Sequence, residues 1–469
     1  MSGRVPQRVR VAGAVMLVTT FVWALPIAGA VTPPPVDDSL LPEPRPPAPP
    51  EPTEQRQQCF ISTTPAVRDR AAGANQLNDV DLAAAWRLGR GAGQTVAVID
   101  TGVARHRLLP HLVPGGDYVF TGDGTDDCDG HGTIVAGIIG AAEDSSGSAG
   151  FSGVAPDATI ITIRQSSIKF APAGQSAPGF GDVNTLAMAV RTAADMGASV
   201  INMSSIACVG DVSALDDRAL GAALAYAVDV KNVVVVAAAG NVGGLGQCPD
   251  QNPPGDPARP GRPDWDSVKV VVSPAWYDEY VLTVGSVDPQ GAPSRFTLAG
   301  PWVDVAAPGE AVVSLDADGE GLVDTLPLFG SSMPIVGTSY AAPVVSGIAA
   351  LVRARSPHLT ARQVMQRIKD TAHRPPAGWD PFVGYGVVDA LAAVSGDTAT
   401  TRMTVESNAS RDADVRPISP PGSDIPSDQR PRRIAFGGTG ICVAVVVAAV
   451  AMTASIGRLR RRENTVARD

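Results

Sequence analysis

Lysine is scarce in this 469-residue chain: only Lys169, Lys231, Lys269 and Lys369 occur, so arginine carries almost all the positive charge. Lys+Arg total 37 against 47 Asp+Glu, giving a formal net charge of -10. No basic stripe runs along any segment, which excludes nucleic acid as a partner. Nor does the chain contain an internal repeat. Metal-ligand patterns are missing too: Asp123, Asp126 and Asp127 do not follow calcium-loop spacing and read as a solvated turn. Neither metal nor cofactor is expected. What is present is enough apolar content, 44%, to exclude a wholly disordered chain, although 41 prolines signal that some part is not packed.

The two ends read as targeting segments. Arg4, Arg8 and Arg10 precede an uncharged apolar run from Val11 to Leu25, and Ala28-Gly29-Ala30 follows as a cleavage signature, so residues 1–30 read as a secretory signal peptide. Ile434 to Ile456 is 23 residues without a charge. As a helix it reaches roughly 34 Å, enough to cross a bilayer. Arg458, Arg460, Arg461 and Arg462 come next and keep the tail 457–469 cytoplasmic. These features place the chain in the plasma membrane with a single span at 434–456 and everything before it outside the cytoplasm.

Between the ends, composition divides the chain. Residues 31–58 hold ten prolines and read as extended and unpacked, the main part of an N-terminal extension over 31–71. Residues 397–433 are polar and read as a stalk. The remainder, 72–396, reads as one α/β domain. Its strands are short apolar runs without polar alternation: Thr95–Ile99, Thr159–Ile163, Ser199–Met203, Val233–Ala238 and Tyr280–Val284. Helical patterns over Val183–Met196, Val212–Val228 and Tyr340–Arg355 lie between them. This alternation predicts a mainly parallel central sheet with helices on both faces.

In such a sheet function sits beyond the carboxyl ends of the strands. The run Val96-Ala97-Val98-Ile99 leads into Asp100. His131 stands between glycines at the start of an apolar stretch, and Ser339 opens a long apolar helix, with Pro343 tolerated in its first turn. Singly, each residue reads as a turn former, a core histidine or a helix cap. Together they supply a nucleophile, its base and the acid that orients the base. Asn241 ends the Val-rich strand and places an amide where an oxyanion needs a donor, a group worth about 3–4 kcal/mol to the transition state.

The blocks VIDTGV, DGHGTIVAGIIG, INMS, AAAGN and GTSYAAPVVSG resemble those of the subtilisin-like serine proteases, in the same order. The resemblance implies Asp100, His131 and Ser339 as catalytic triad, Asn241 as oxyanion donor, and Ser204, Ser205 and Gly240 as substrate-binding residues. Asn202-Met203-Ser204-Ser205 departs from the family's usual small-Gly continuation. With a signal sequence, a Pro-rich lead, a stalk and a C-terminal span, the architecture resembles the mycosins. Those are membrane-anchored subtilases of type VII secretion systems. That resemblance implies protein substrates, membrane-embedded secretion components as partners, and a homo-oligomer within the complex. It also implies an extension wrapped around the domain, since 31–71 leaves no room for a folded inhibitory prodomain.

Cys442 falls in the expected span. The other cysteines, 59, 128, 208 and 248, permit three pairings. A right-handed crossover brings the ends of successive strands to one sheet edge, which allows Cys208–Cys248 and leaves Cys59–Cys128 beside His131. A stabilising staple and a gate both fit that position. The non-periodic stretches 165–182 and 242–275 read as insertions, the second overhanging the cleft or docking a partner. The functional expectation is a serine endopeptidase processing secreted proteins at the membrane. The alternatives are a structural cap of the secretion complex and a general degradative surface protease.

Overall fold

Uninterrupted apolar runs set the frame of the molecule. The computed structural model describes residues 31–60, 75–143, 151–176, 179–243, 248–328 and 331–396. The signal segment, the stalk, the span at 434–456 and the tail lie outside them. Among the described residues no helix is long and apolar enough to cross a membrane.

The strands that matter for the site are, in chain order, β1 (Thr53–Gln55), β2 (Thr95–Asp100), β3 (Leu112–Asp117), β4 (Thr159–Arg164), β5 (Phe170–Pro172), β6 (Val200–Met203), β7 (Ala207–Val209), β8 (Val234–Ala238), β9 (Val271–Ser273), β10 (Leu282–Val287) and β11 (Val303–Pro308). Seven of them form one sheet in the order β11-β10-β8-β6-β2-β4-β3, with every pairing parallel. The central strands are buried on both faces; β8 has no exposed residue, and Val96 to Ile99 are fully covered. Burial on both sides explains the lack of polar alternation. The two edges, β3 and β11, were not among the expected strands. Each carries a proline, Pro114 and Pro308, which an edge tolerates because one row of its N–H groups has no ladder partner.

The Thr338–Arg355 helix supplies the centre of one face, with nearly every residue buried through Val352. The Val183–Asp195 helix opens with a capping box between Asp182 and Thr185. The expected helix Val212–Val228 is instead three pieces: a short turn at Val212–Ala214, a helix at Arg218–Ala225 and a π-helical turn at Tyr226–Val230. Asp217 breaks it. Its buried side chain accepts from Ser273 Oγ, Trp276 Nε1 and Tyr277 Oη, so a tertiary contact overrides the local period.

The extension is not unpacked. The Val31 amide donates to the Trp265 carbonyl, Arg191 reaches the Pro42 carbonyl, and Pro47 fills the space above Gly116. β1 then pairs antiparallel with β5, inside the stretch read as the first insertion. Proline removes amide donors but leaves carbonyls and ring surface, and the segment binds through those and through its few non-proline amides. The second insertion is likewise seated. Asn252, buried, donates to the Val270 and Ala299 carbonyls and accepts from the Lys269 and Val270 amides, while β9 pairs with β7.

Candidate active site

Asp100 ends β2 with its side chain fully buried, and its Oδ1 accepts from the Thr101 amide at 2.8 Å. The same oxygen lies 2.7 Å from His131 Nδ1. His131 begins the helix His131–Gly140 and keeps 27% of its side chain exposed. The glycines around it are required by space. A Cβ on Gly132 would collide with the Gly102 carbonyl and press on Asp100 Cβ at 3.2 Å. Burial opposes charging the ring, but the Asp100 carboxylate outweighs it with help from Asp127 and Asp129, so the His131 pKa lies above the ordinary imidazole value. Asp129 accepts from Ser167 Oγ and the Ile168 amide, which fixes the start of the 165–182 loop next to the histidine.

Ser339 is the second residue of the Thr338–Arg355 helix. The ring of its neighbour Tyr340 lies 5.2 Å from the His131 ring, which brings this helix start against the imidazole. Ser339 Oγ donates to the Ser204 carbonyl at 3.4 Å. Pro343 was expected in the first turn but lies beyond it, because the helix begins already at Thr338. Lacking an N–H, it leaves the Ser339 carbonyl four residues earlier without its helical donor. Ser204 Oγ donates to that carbonyl at 2.8 Å. Ser204 in turn accepts from Asn202 Nδ2 at 3.1 Å, and Asn202 Oδ1 accepts from Ser346 Oγ at 2.8 Å. A buried chain of side chains thus ties β6 to the helix that carries Ser339.

Asn241 follows β8. Its Oδ1 accepts from the Thr338 amide at 3.0 Å and from Thr338 Oγ1 at 3.1 Å. With the oxygen so held, Nδ2 is the end turned outward, and it meets no acceptor among the described residues. Gly240 adopts φ +105°, and its amide donates to Thr338 Oγ1. A Cβ there would stand 3.0 Å from Cys248 Sγ. Ser205 shares a hydroxyl contact of 3.2 Å with Ser166. Both expected disulfides are present: Cys59–Cys128 with a Cα separation of 4.4 Å and Cys208–Cys248 with 5.0 Å. Among the described residues no group of three or more His, Cys, Asp or Glu could hold a metal ion.

Sequence reasoning missed Thr338, Asn202, Thr101 and Tyr340, each of which touches an expected site residue. It also misjudged Asp127, whose carboxylate is enclosed and not solvated; burial pushes its pKa up to about 6. The signal was available in part, since Thr338 and Tyr340 flank Ser339 and Thr101 follows Asp100. Hydrogen-bond partners, however, leave no periodic trace.

An Asp at the end of a parallel strand, a His at a helix start in contact with it, and a Ser-bearing helix start packed on the same imidazole form the arrangement that a subtilisin-type serine protease would need. The model of the subtilase family matches residues 91–386. Mycosin-4 of Mycobacterium tuberculosis (strain ATCC 25618 / H37Rv) is 62% identical over 448 residues, covering 95% of this chain and 95% of that protein. The structure of the MycP3 protease from the type VII (ESX-3) secretion system matches with a TM-score of 0.72 at 45% identity, over 78% of this chain and 100% of that one. A chain of the intact ESX-5 inner membrane complex matches with a TM-score of 0.71 at 39% identity, over 91% of this chain and 100% of that one. The chain belongs to the subtilase family and, within it, to the mycosins.

Proposed function

We propose that the chain is a membrane-anchored serine endopeptidase that processes secreted proteins outside the cytoplasm, within a type VII secretion complex. The observation that carries the reading is the 2.7 Å contact between Asp100 Oδ1 and His131 Nδ1, with the helix start that bears Ser339 packed on the same imidazole through Tyr340 and bonded to Asn241 through Thr338. In this mechanism Ser339 Oγ attacks a peptide carbonyl while His131 Nε2 takes its proton. Asp100 holds the opposite ring nitrogen and stabilises the imidazolium that forms. Asn241 Nδ2 donates to the developing oxyanion, pre-aimed because Thr338 fixes the amide oxygen. His131 then protonates the leaving amine, and water hydrolyses the acyl-enzyme. A hydroxyl has one hydrogen, so Ser339 must release the Ser204 carbonyl before it donates to His131. Attack also needs neutral imidazole, so activity falls as pH drops through the raised His131 pKa.

The likeness to a chain of a membrane secretion complex favours a second role, support of that complex irrespective of hydrolysis. Ser339→Ala in the native host separates the two. Loss of substrate processing with continued export assigns catalysis to Ser339 and a separate scaffold role to the chain. Loss of both, with the complex still assembled, makes proteolysis itself the requirement. Unchanged processing removes Ser339 from the reaction.

A further inference from the structure

We propose that Asp127 is a positioning residue for this reaction, its carboxylate locking the strand end that carries Asp100 to the first turn of the helix that carries His131. The inference rests on the catalytic reading above and adds a member that the sequence pattern does not show.

The hydrogen bonds define the lock. Asp127 Oδ1 accepts from Thr101 Oγ1 at 2.8 Å and from the Gly130 amide at 2.8 Å. Its Oδ2 accepts from the Thr133 amide at 2.8 Å and from Thr133 Oγ1 at 2.6 Å. Gly130 and Thr133 bracket His131 in the chain, so one carboxylate grips the backbone on both sides of the base. Thr101 closes the circuit. Its Oγ1 accepts from the Gly132 amide at 2.9 Å, and its own amide donates to Asp100 Oδ1 at 2.8 Å. The acid and the base are therefore held to each other twice: directly through Nδ1, and indirectly through Thr101 and Asp127.

Only a carboxylate fits this place. Four donors converge on two oxygens, and the amide of an asparagine would turn an N–H₂ group against the donors of Thr133 or Thr101. A plain helix cap needs one acceptor for one N–H; this residue accepts four bonds, two of them from hydroxyls. Its position is also costly. Burial raises its pKa and Asp100 nearby raises it further, while the bonds from Thr133 and Thr101 pull it back only in part. The open N-terminus of the His131–Gly140 helix compensates in part through its unpaired amides.

Charge gives a second handle. The groups that face the His131 ring are Asp100 from β2, Asp127 and Asp129 from the preceding loop, and Tyr340 from the Thr338–Arg355 helix. Asp127 is one of the carboxylates that raise the His131 pKa, whereas Thr101 carries no charge.

The test uses the full-length chain in membranes and a fluorophosphonate probe that reacts with an activated serine, with the labelling rate followed against pH. Ser339→Ala supplies the blank; equal labelling of wild type and blank overturns the catalytic reading and the role of Asp127 with it. Asp127→Asn is expected to lower the plateau rate by about 100-fold, the effect of a catalytic group displaced by a fraction of an ångström to an ångström. It is also expected to move the midpoint to lower pH. Thr101→Val keeps the shape and removes no charged group, but cuts the relay. The rate should fall while the midpoint stays. Thr101→Val labelling within twofold of wild type overturns the proposal, even where Asp127→Asn fails to fold. So does a slow Asp127→Asn whose midpoint has not moved, because that residue would then support only the fold.

Discussion

The two disulfides sit on different sides of the candidate site, and their surroundings could hardly differ more. Cys59–Cys128 ties an exposed, proline-rich strap to the loop before His131. Apart from it, the strap holds on through the three-residue β1–β5 pairing, single backbone bonds such as those of the Val31 amide to the Trp265 carbonyl, the Arg56 amide to the Lys169 carbonyl and the Phe60 amide to the Cys128 carbonyl, and side-chain contacts. Cys208–Cys248 lies inside the frame: Cys248 is in the main core, the β7–β9 pairing runs beside it, and Gly240 rests on its sulfur. The bonds span 69 and 40 residues. Loop-closure entropy assigns each about 4 kcal/mol, so it cannot tell them apart. The native neighbours decide instead what each bond protects: the inner one the Gly240–Asn241 turn that carries the proposed oxyanion donor, the outer one the attachment of a strap.

The comparison breaks most visibly at the inner bond. Cys208→Ser with Cys248→Ser is expected to lower the unfolding free energy by up to about 4 kcal/mol in urea titration. Fluorophosphonate labelling should fall as well, because the Gly240–Asn241 turn loses its support. Unchanged labelling would show that Thr338 alone aims Asn241.

A pH scan sharpens the comparison, since neither disulfide titrates. Burial pushes the carboxyl of Asp304 up to about 6, although Lys369 at 3.2 Å and the Thr283 amide pull it back. Its folded pKa lies above its unfolded value of 3.8. The stabilisation it gives is therefore complete below about pH 4 and lost as pH rises through about 6, to a maximum on the order of 3 kcal/mol. Urea midpoints at pH 4.5 and 7.5 should differ in that direction, and Asp304→Asn should flatten the difference. An unaltered slope assigns it to other buried carboxyls, Asp127 first.

The smallest global effect belongs to the outer bond. Cys59→Ser with Cys128→Ser should cost less than about 2 kcal/mol in global unfolding, because the strap opens locally without unfolding the sheet. The loss should appear as tryptic cutting after the exposed Arg56 at a rate well above wild type. Resistance equal to wild type would mean that β1–β5 suffices to hold the strap.

How much of this was legible follows from what each segment packs against. β2, β4, β6 and β8 are covered on both faces, so their apolar runs announce them. β3 and β11 lie at edges, where Pro114, Gly115, Gly116 and Pro308 disguise a strand as a loop. The blocks around Asp100, His131 and Ser339 were readable because close approach forces glycine and small residues to fixed spacings. Composition alone misread the strap as unpacked, because its partners are carbonyls, ring faces and amides far along the chain; the expectation of a wrapped extension came from the family resemblance. Asp127 was misread because three acids in a polar loop look alike until the fold encloses one of them; Asp123 merely turns back on Thr125.

The strap has a further consequence, one of timing. Synthesis proceeds from the N-terminus, so residues 31–60 leave the ribosome before the groups of the domain that they bind. Cys59 waits for Cys128, β1 for β5, and Val31 for Trp265. At ordinary elongation rates the last of these partners arrives on the order of ten seconds or more after Val31. The strap is thus made before its partners, and its last seat, at Trp265, becomes available only after more than half of the domain has been made.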